Sequence, residues 1–412
     1  MDELPEDIIV IIFSNLDVKT LLSLRFTCRQ WHQIINGSCF GRQLAEKQNL
    51  KKGVVQQPML LIFYPNHNPS SDDDHHRILN PNPNPNNKDE RVLEIDLNLF
   101  PWPNWHSNNN KDPLLFESCA NGIFCFTRNS SCTKSYLVNP LRKEILELPP
   151  LNIEPPPRLK YRYCYYGLGF DKLKRKYKIV CAVIDCYKDS IIFTFYTLKE
   201  SKWVQLITKL PSQYVPLRCP IWIDNKGVMY WICFDPYGNN IDYDHNRYMV
   251  MALHLEKEEF RFVSFNKGEY GYSYSANTQL VDLNNGVLSL VYYLEYDTEI
   301  WNLINVDEKE NWVKMYKIEN SRKSNYVFPY NIHHQYYYCH YHDLPYNEVI
   351  GPWENGEVLI RCRRGTFMAY NPSTNTFKKL NFSPIDHTKF CYSNSYTPSL
   401  ASVSWIQDHF LN

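Results

Sequence analysis

Between residues 333 and 342 the chain reads HHQYYYCHYH, setting His333, His334, His340 and His342 close to Cys339. Imidazole and thiolate are the ligands zinc favours, and in a strand His340 and His342 would share a face. A zinc site needs its ligands to converge, however, and no second cluster with metal-ligand spacing occurs in the chain. The neighbours are tyrosines, so the stretch reads as an aromatic recognition element rather than a metal site. His75 and His76 follow Asp72, Asp73 and Asp74 and could attract a cation, but this polar stretch reads as a solvated loop. No metal is expected.

Covalent or hydrolytic chemistry finds no frame. The chain has no GxSxG elbow, HExxH helix or Gly-rich phosphate loop. Carboxylate pairs such as Glu258 and Glu259 fall in charged turns between strand patterns, where solvation is the ordinary state. Carboxylates gathered from distant strands would leave no local motif, which keeps a hydrolase as the lesser alternative. The expectation is a chain with no catalytic residues and no cofactor.

Tyrosine is the more informative residue. YRYCYY (161–166), EYGYSYS (269–275) and HQYYYCHYHDLPY (334–346) repeat aromatics two residues apart. In strands Tyr161, Tyr163 and Tyr165 would share a face, as would Tyr270, Tyr272 and Tyr274, or Tyr336 and Tyr338. Tyrosine offers wide apolar area with a hydroxyl and is favoured at binding hot spots. Tyr163, Tyr165, Tyr272, Tyr274, Tyr336 and Tyr338 are therefore the candidate target-binding residues, with ordinary strand filling as the competing account.

The elements that must carry these residues follow from composition. Of 412 residues, 44 are Lys or Arg and 44 Asp or Glu, so zero net charge gives no electrostatic reason to bind nucleic acid or an anionic membrane. Aromatics make up 15%, and 26 Pro outnumber 14 Gly, as suits many short strands joined by polar turns. No apolar run reaches the roughly 18 residues of a membrane span. Ile8–Phe13 is too short, too early and too acidic at its start for a signal peptide. Thirteen Cys without a CxxC pair read as reduced thiols. The Asn36 and Asn129 sequons would then stay unused, placing the chain in the cytoplasm or nucleus.

The first fifty residues pattern as short helices. Pro5, Glu6 and Asp7 suit a helix start, Asp17 can cap VKTLLSLRF, and Thr27 can cap CRQWHQII. Ile8–Phe13 would be apolar nearly all round, and helices this short cannot hide such a surface themselves. Something else must cover it: the rest of the chain or a partner. LPEDIIVIIFSNLDVKTLLSLRFTCRQWHQII resembles an F-box, with matching positions at Leu4, Pro5, Ile8, Ile11, Ile12, Leu16, Val18, Leu21, Leu22, Arg25, Cys28, Arg29, Trp31 and Ile35. Asp17 stands where many members have Pro. The resemblance implies docking on the small adaptor subunit of a cullin–RING ubiquitin ligase, through it the cullin scaffold, with Leu4, Pro5, Ile8, Ile11, Ile12, Leu16, Leu21, Leu22, Arg25, Cys28 and Trp31 as the adaptor-binding set.

Behind this segment, residues 50–64 hold a first strand pattern, MLLIFY, and residues 65–91 are polar, Asn- and Pro-rich and expected to be disordered. Residues 92–406 carry a loose repeat. Asn-Gly or a near equivalent opens NGIFCF, NKGVMYWI, NNGVLSLV and NGEVLI. A charged turn between two strands closes each unit, and equivalent positions Asn139, Thr197, His254, Asn305 and Asn371 recur 51 to 66 residues apart. Kelch-like blades repeat at about 50 residues, with four antiparallel strands each.

ESCANGIFCF, YLVNPLRKEILELP, GLGFDKLKRKYKIV and GVMYWI together resemble the F-box-associated domain of plant F-box proteins. The expected fold is thus α+β and multidomain. F-box helices at 1–49 precede an all-β kelch-like propeller of about six blades, whose ring is closed by MLLIFY, VLEIDL and a strand near SLASV (399–403). A pair of packed sheets is the alternative. The expected function is substrate recognition for an SCF-type ubiquitin ligase, leading to target ubiquitination and degradation; a non-degradative binding protein such as a propeller lectin is the alternative.

Overall fold

The computed structural model describes residues 4–37, 39–41, 43, 44, 47, 59–64, 92–96, 114–128, 134–151, 164–171, 173, 174, 176–187, 190–199, 202–206, 215, 216, 220–223, 226–234, 248–264, 277–283, 286–294, 297–306, 309–319, 347–362, 367–380, 392–396 and 399–403. Helix α1 (Glu6–Phe13) follows Pro5, and Glu6 and Asp7 lie in its first turn, at the positive end of the helix dipole. Asp17 caps α2 (Val18–Leu24), accepting from the Thr20 N–H at 2.8 Å and from its hydroxyl at 2.7 Å. Helix α3 (Arg29–Asn36) is capped by Cys28 rather than Thr27: the Trp31 N–H points to Cys28 Sγ at 3.5 Å. Residues 39–41, 43, 44 and 47 are also helical. Lys47 reaches back to Ser14 Oγ and Asn15 Oδ1, at 2.9 and 2.8 Å. Inside, Phe13, Leu21, Ile35, Phe40 and Leu44 form one cluster, with the edge of Phe13 against Trp31 at 5.2 Å.

Five blades follow. The first is β3 (Leu114–Ala120), β4 (Ile123–Arg128), β5 (Lys134–Asn139) and β6 (Glu144–Glu147). The second is β7 (Cys164–Asp171), β8 (Lys176–Tyr187), β9 (Ser190–Lys199) and β10 (Lys202–Leu206). In the third, β11 (Val215–Pro216) and β12 (Ile221–Ile223) both pair with β13 (Val228–Phe234), which continues into β14 (Tyr248–His254) and β15 (Glu259–Ser264). The fourth runs β16 (Asn277–Asp282), β17 (Leu288–Tyr293), β18 (Asp297–Val306) and β19 (Lys309–Glu319). The fifth runs β20 (Asn347–Pro352), β21 (Val358–Cys362), β22 (Phe367–Asn371) and β23 (Thr376–Leu380).

The repeat strings are the turns of these blades. Asn121 and Gly122 both have positive φ, 48° and 75°, between the paired residues Ala120 and Ile123, which is the two-residue hairpin that Asn-Gly favours. The charged turns join third to fourth strands. Lys143, Glu258 and Asn375 take the same left-handed position, at φ 55°, 56° and 54°. Asn139 and Asn371 fold two of these turns by accepting from the next residues' N–H groups, Leu141 and Arg142 in one and Ser373 and Thr374 in the other.

Neighbouring blades interlock through their inner strands. A β-bulge between Phe116 and Ser118 turns two successive side chains toward β7. Buried Glu117 accepts from the Tyr166 N–H at 3.1 Å and from the Thr127 hydroxyl, and Ser118 Oγ accepts from the Leu168 N–H at 2.9 Å. Lys178 ties the second blade to the third: its Nζ donates to the Leu255 carbonyl and lies 3.2 Å from Asp171 and 3.4 Å from Glu258. Glu258 is thus an interblade anchor. A Cβ on Gly169 would collide with Leu255 Cδ1 and the Trp222 ring. Gly169→Ala is accordingly expected to lower stability by about 1–3 kcal/mol, read as an earlier cooperative melt.

A further sheet has three strands, not four. In it β1 (Met59–Tyr64) pairs parallel with β2 (Val92–Asp96) and antiparallel with β24 (Tyr392–Tyr396). The expectation of about six blades is therefore corrected: the described residues form five blades, beside a sheet with one parallel pair. The strand drawn from the end of the chain is also not 399–403 but 392–396. Backbone groups of Ser399, Ala401 and Val403 are instead held by side chains of the first blade. Inner strands β3, β7, β12, β16, β20 and β24 lie against one another in that order.

Candidate partner-binding sites

Helix α1 has two apolar faces, and the fold covers only one. Ile9 and Phe13 point into the helical cluster. Ile8, Ile11 and Ile12 are 43, 57 and 47% exposed, and Leu4, one turn earlier, is exposed as well. Spacing of i, i+3 and i+4 sets these side chains side by side. Pro5 and Cys28 are also exposed. Arg25 is half-buried, its guanidinium 4.7 Å from the ring centroid of Phe26. Burial first, and then the nearby Arg142, lowers the Arg25 pKa from its ordinary value.

The expected adaptor-binding set therefore divides. Leu4, Pro5, Ile8, Ile11, Ile12 and Cys28 are open to a partner. Leu16, Leu22 and Trp31 are half-buried against the helices' own core. Leu21, at 0% exposure, is wholly internal and is corrected from partner contact to core residue. Its helix has only seven residues, and the Val18–Leu21 side is the one it turns inward. Sequence reasoning missed Phe26, 73% exposed at the end of α2. The available signal was the aromatic that closes the apolar string VKTLLSLRF, two residues beyond the last residue of α2.

Of the candidate target-binding tyrosines, Tyr165 lies in β7 and is 5% exposed within the main core cluster. It is corrected to a packing residue. Every residue of β7 is buried, so neither face of that strand is available. Tyr163, Tyr272, Tyr274, Tyr336 and Tyr338 lie outside the described residues, as do His333, His334, Cys339, His340 and His342. Burial in the core pushes the Cys233 thiol pKa up from its ordinary value, which keeps it a protonated packing residue.

The blades give the molecule two unlike ends. In an antiparallel four-stranded blade the first and third turns share one end, and the chain arrives and leaves at the other. The helices touch the β5–β6 turn of the first blade, where Arg142 Nη2 donates to the Asn36 carbonyl at 2.8 Å. The strand ends that flank residues 152–163, 265–276 and 320–346, where the tyrosine-rich strings fall, therefore belong to the end away from the helices.

Comparison with known proteins covers both parts. The F-box domain model matches residues 1–43, and the F-box associated beta propeller domain model matches residues 73–409. An F-box protein of Arabidopsis thaliana is 23% identical over 407 residues, covering 93% of this chain and 88% of that protein. An F-box/kelch-repeat protein of the same plant is 23% identical over 361 residues, covering 83% and 74%. Among solved structures, an Aleuria aurantia lectin is similar at a TM-score of 0.36 and 7% identity, over 66% of this chain and 78% of the lectin. Prolyl oligopeptidase B of Galerina marginata is similar at 0.32 and 11%, over 70% of this chain and 36% of that one. Likeness that remote carries no functional argument. An exposed isoleucine face on capped short helices, five blades of which four carry an Asn-Gly or similar string at their first turn, and family matches over both regions lead to one conclusion: the chain belongs to the plant F-box proteins that carry an F-box-associated β-propeller.

Proposed function

We propose that this chain is the substrate-receptor subunit of an SCF-type cullin–RING ubiquitin ligase, acting in the cytoplasm or nucleus. The observation that carries the reading is the second apolar face of α1, left open although the helices already have a filled core of their own. Burying an Ile side chain is worth about 1.5–3 kcal/mol, so three neighbouring isoleucines and Leu4 provide enough driving force for a stable interface with the ligase adaptor. The propeller holds a target protein at its far end. Tethering raises the local concentration of target lysines near the charged ubiquitin-conjugating enzyme, and ubiquitination leads to degradation. No residue of this chain is required to act on the transferred ubiquitin, so the role is non-catalytic. The three-stranded sheet closes the ring between the fifth and first blades. The position of β24 beside β20, and of residues 399–403 on the first blade, supports this.

Affinity purification of the intact chain with the proteasome blocked tests the reading. Adaptor and cullin should be recovered with it, together with a target that accumulates only under the block. Recovery of neither ligase subunit overturns the proposal.

The target-binding end has its own test. Ala at Tyr163, Tyr272 and Tyr338 is expected to leave adaptor binding and melting unchanged. A hot-spot aromatic contributes about 2 kcal/mol or more, so each loss should weaken target binding some thirtyfold. Early melting, or retention of every partner, would show these tyrosines to be strand filling.

A further inference from the structure

The helical module meets the propeller through a third segment, far from both in sequence. Leu400 is buried in the helical cluster with Phe40 and Leu44, and Leu141 of the β5–β6 turn packs on the same cluster. A Cβ on Gly41 would collide with the Leu400 carbonyl oxygen, so only glycine lets the backbones approach this closely. On the propeller side Asn139, wholly buried at the end of β5, donates through Nδ2 to the carbonyls of Ser399 at 3.0 Å and Ala401 at 2.6 Å. Arg142 links all three segments. Nη2 donates to the Asn36 carbonyl at the end of α3, Nη1 lies 3.4 Å from the Leu400 carbonyl, and Nε bonds Glu144 at 2.6 Å. The second Glu144 oxygen accepts from the Val403 N–H at 2.9 Å. A cation suits the carbonyl end of a helix, and Glu144 offsets the crowding of Arg142 by Arg25.

The same asparagine turn occurs in the fifth blade, where Asn371 folds residues 372–375 and the side is half-exposed. In the first blade the Asn139 amide, Arg142 and Glu144 are committed to residues 399–403 and to α3. This is a built interface, formed around residues that sequence places about 100 and 260 positions apart.

We infer that residues 399–403 form a wedge that locks the F-box onto the first blade, with Arg142, Asn139 and Leu400 as positioning residues that fix one orientation of the target-binding end relative to the ligase. The positional role rests on the receptor reading; the lock itself does not. A hinge between the two parts would let a target sample many positions, whereas a fixed orientation keeps the local concentration of its lysines constant.

The test cuts the chain between its two parts. A site-specific protease sequence is inserted within residues 50–58 of the full chain, the chain is cleaved, and the pieces are separated by size exclusion. Wild-type pieces are expected to co-elute, because the wedge holds them without the covalent link. Arg142→Ala removes charge-assisted bonds to a helix end and a carboxylate, and should weaken retention by about tenfold or more. Leu400→Asp should abolish it. Uncleaved Arg142→Ala should still bind purified adaptor as wild type does and keep a β-rich, cooperative melt, a combination that a general folding defect would not give. Parting of the wild-type pieces after cleavage, full retention by Arg142→Ala, or loss of adaptor binding by the uncleaved variant overturns the inference. Failure of the uncleaved wild type to bind the adaptor would overturn the receptor reading and leave the co-elution result standing.

Discussion

Ile8→Asp combined with Ile12→Asp is expected to remove adaptor binding while the chain stays folded. Both positions are already about half-exposed, so the new carboxylates are solvated in the free chain, and stability should move by no more than about 0.5 kcal/mol. In the complex each would be buried without a partner. Losing two hot-spot contacts at about 2 kcal/mol each amounts to roughly a thousandfold in affinity, before the cost of desolvating the charges. Leu21→Asp is the informative contrast. It introduces the same charge at 0% exposure inside a small helical cluster, and should unfold the helices themselves. Both variants lose the adaptor, but only Leu21→Asp should lose helical signal and amide protection in α2 and α3. Titration with purified adaptor, paired with hydrogen exchange on the free chain, separates the two routes. Undiminished affinity of the Ile8/Ile12 variant would place the docking face elsewhere.

That contrast also shows where sequence reading succeeds and where it stops. Turn chemistry is local and was legible: Asn121-Gly122 requires a left-handed pair, and the charged turns at Lys143, Glu258 and Asn375 share one backbone shape. These turns mark the strand order of the first, third and fifth blades. The inward direction of a side chain was harder. Helices α1 and α2 are apolar on more than one side, so the pattern could not tell the internal Leu21 from the open Ile8. Strand β7 is buried along its whole length, and two-residue spacing then marks no outer face, so the pattern cannot tell a core Tyr165 from a recognition residue. Phe26 closes the same apolar string as Leu21, and the pattern alone does not show that α2 ends at Leu24 and leaves it exposed. The wedge at 399–403 was the least legible feature, because it depends on Asn139 and Arg142 meeting carbonyls that only the folded chain brings within reach. The string that looked like a strand has its backbone partners on side chains instead.

Ending the chain before residue 392 is expected to abolish a soluble, cooperative fold. The cut removes β24, which pairs along five residues with β1, and leaves one edge of β1 open to other chains. It also removes Leu400 from the helical cluster, a burial worth about 1.5–3 kcal/mol. Asn139 loses both acceptors of its amide while remaining at the base of a turn, a cost of about 1–3 kcal/mol if the group stays buried. Glu144 loses the Val403 N–H and Arg142 the Leu400 carbonyl. Against the 5–15 kcal/mol that ordinarily separates folded from unfolded protein, these losses are a large share, and they fall together on the first blade, the helices and the three-stranded sheet. A chain ending at Ser404 keeps every contact just named and serves as the control. The measurement is the soluble yield and thermal melt of both chains, followed by circular dichroism. The longer chain should give a sharp transition from a β-rich spectrum, and the shorter one aggregation or a broad melt. A soluble fragment ending at residue 391 that melts as sharply as the control would mean that the propeller and helices hold themselves together without the end of the chain.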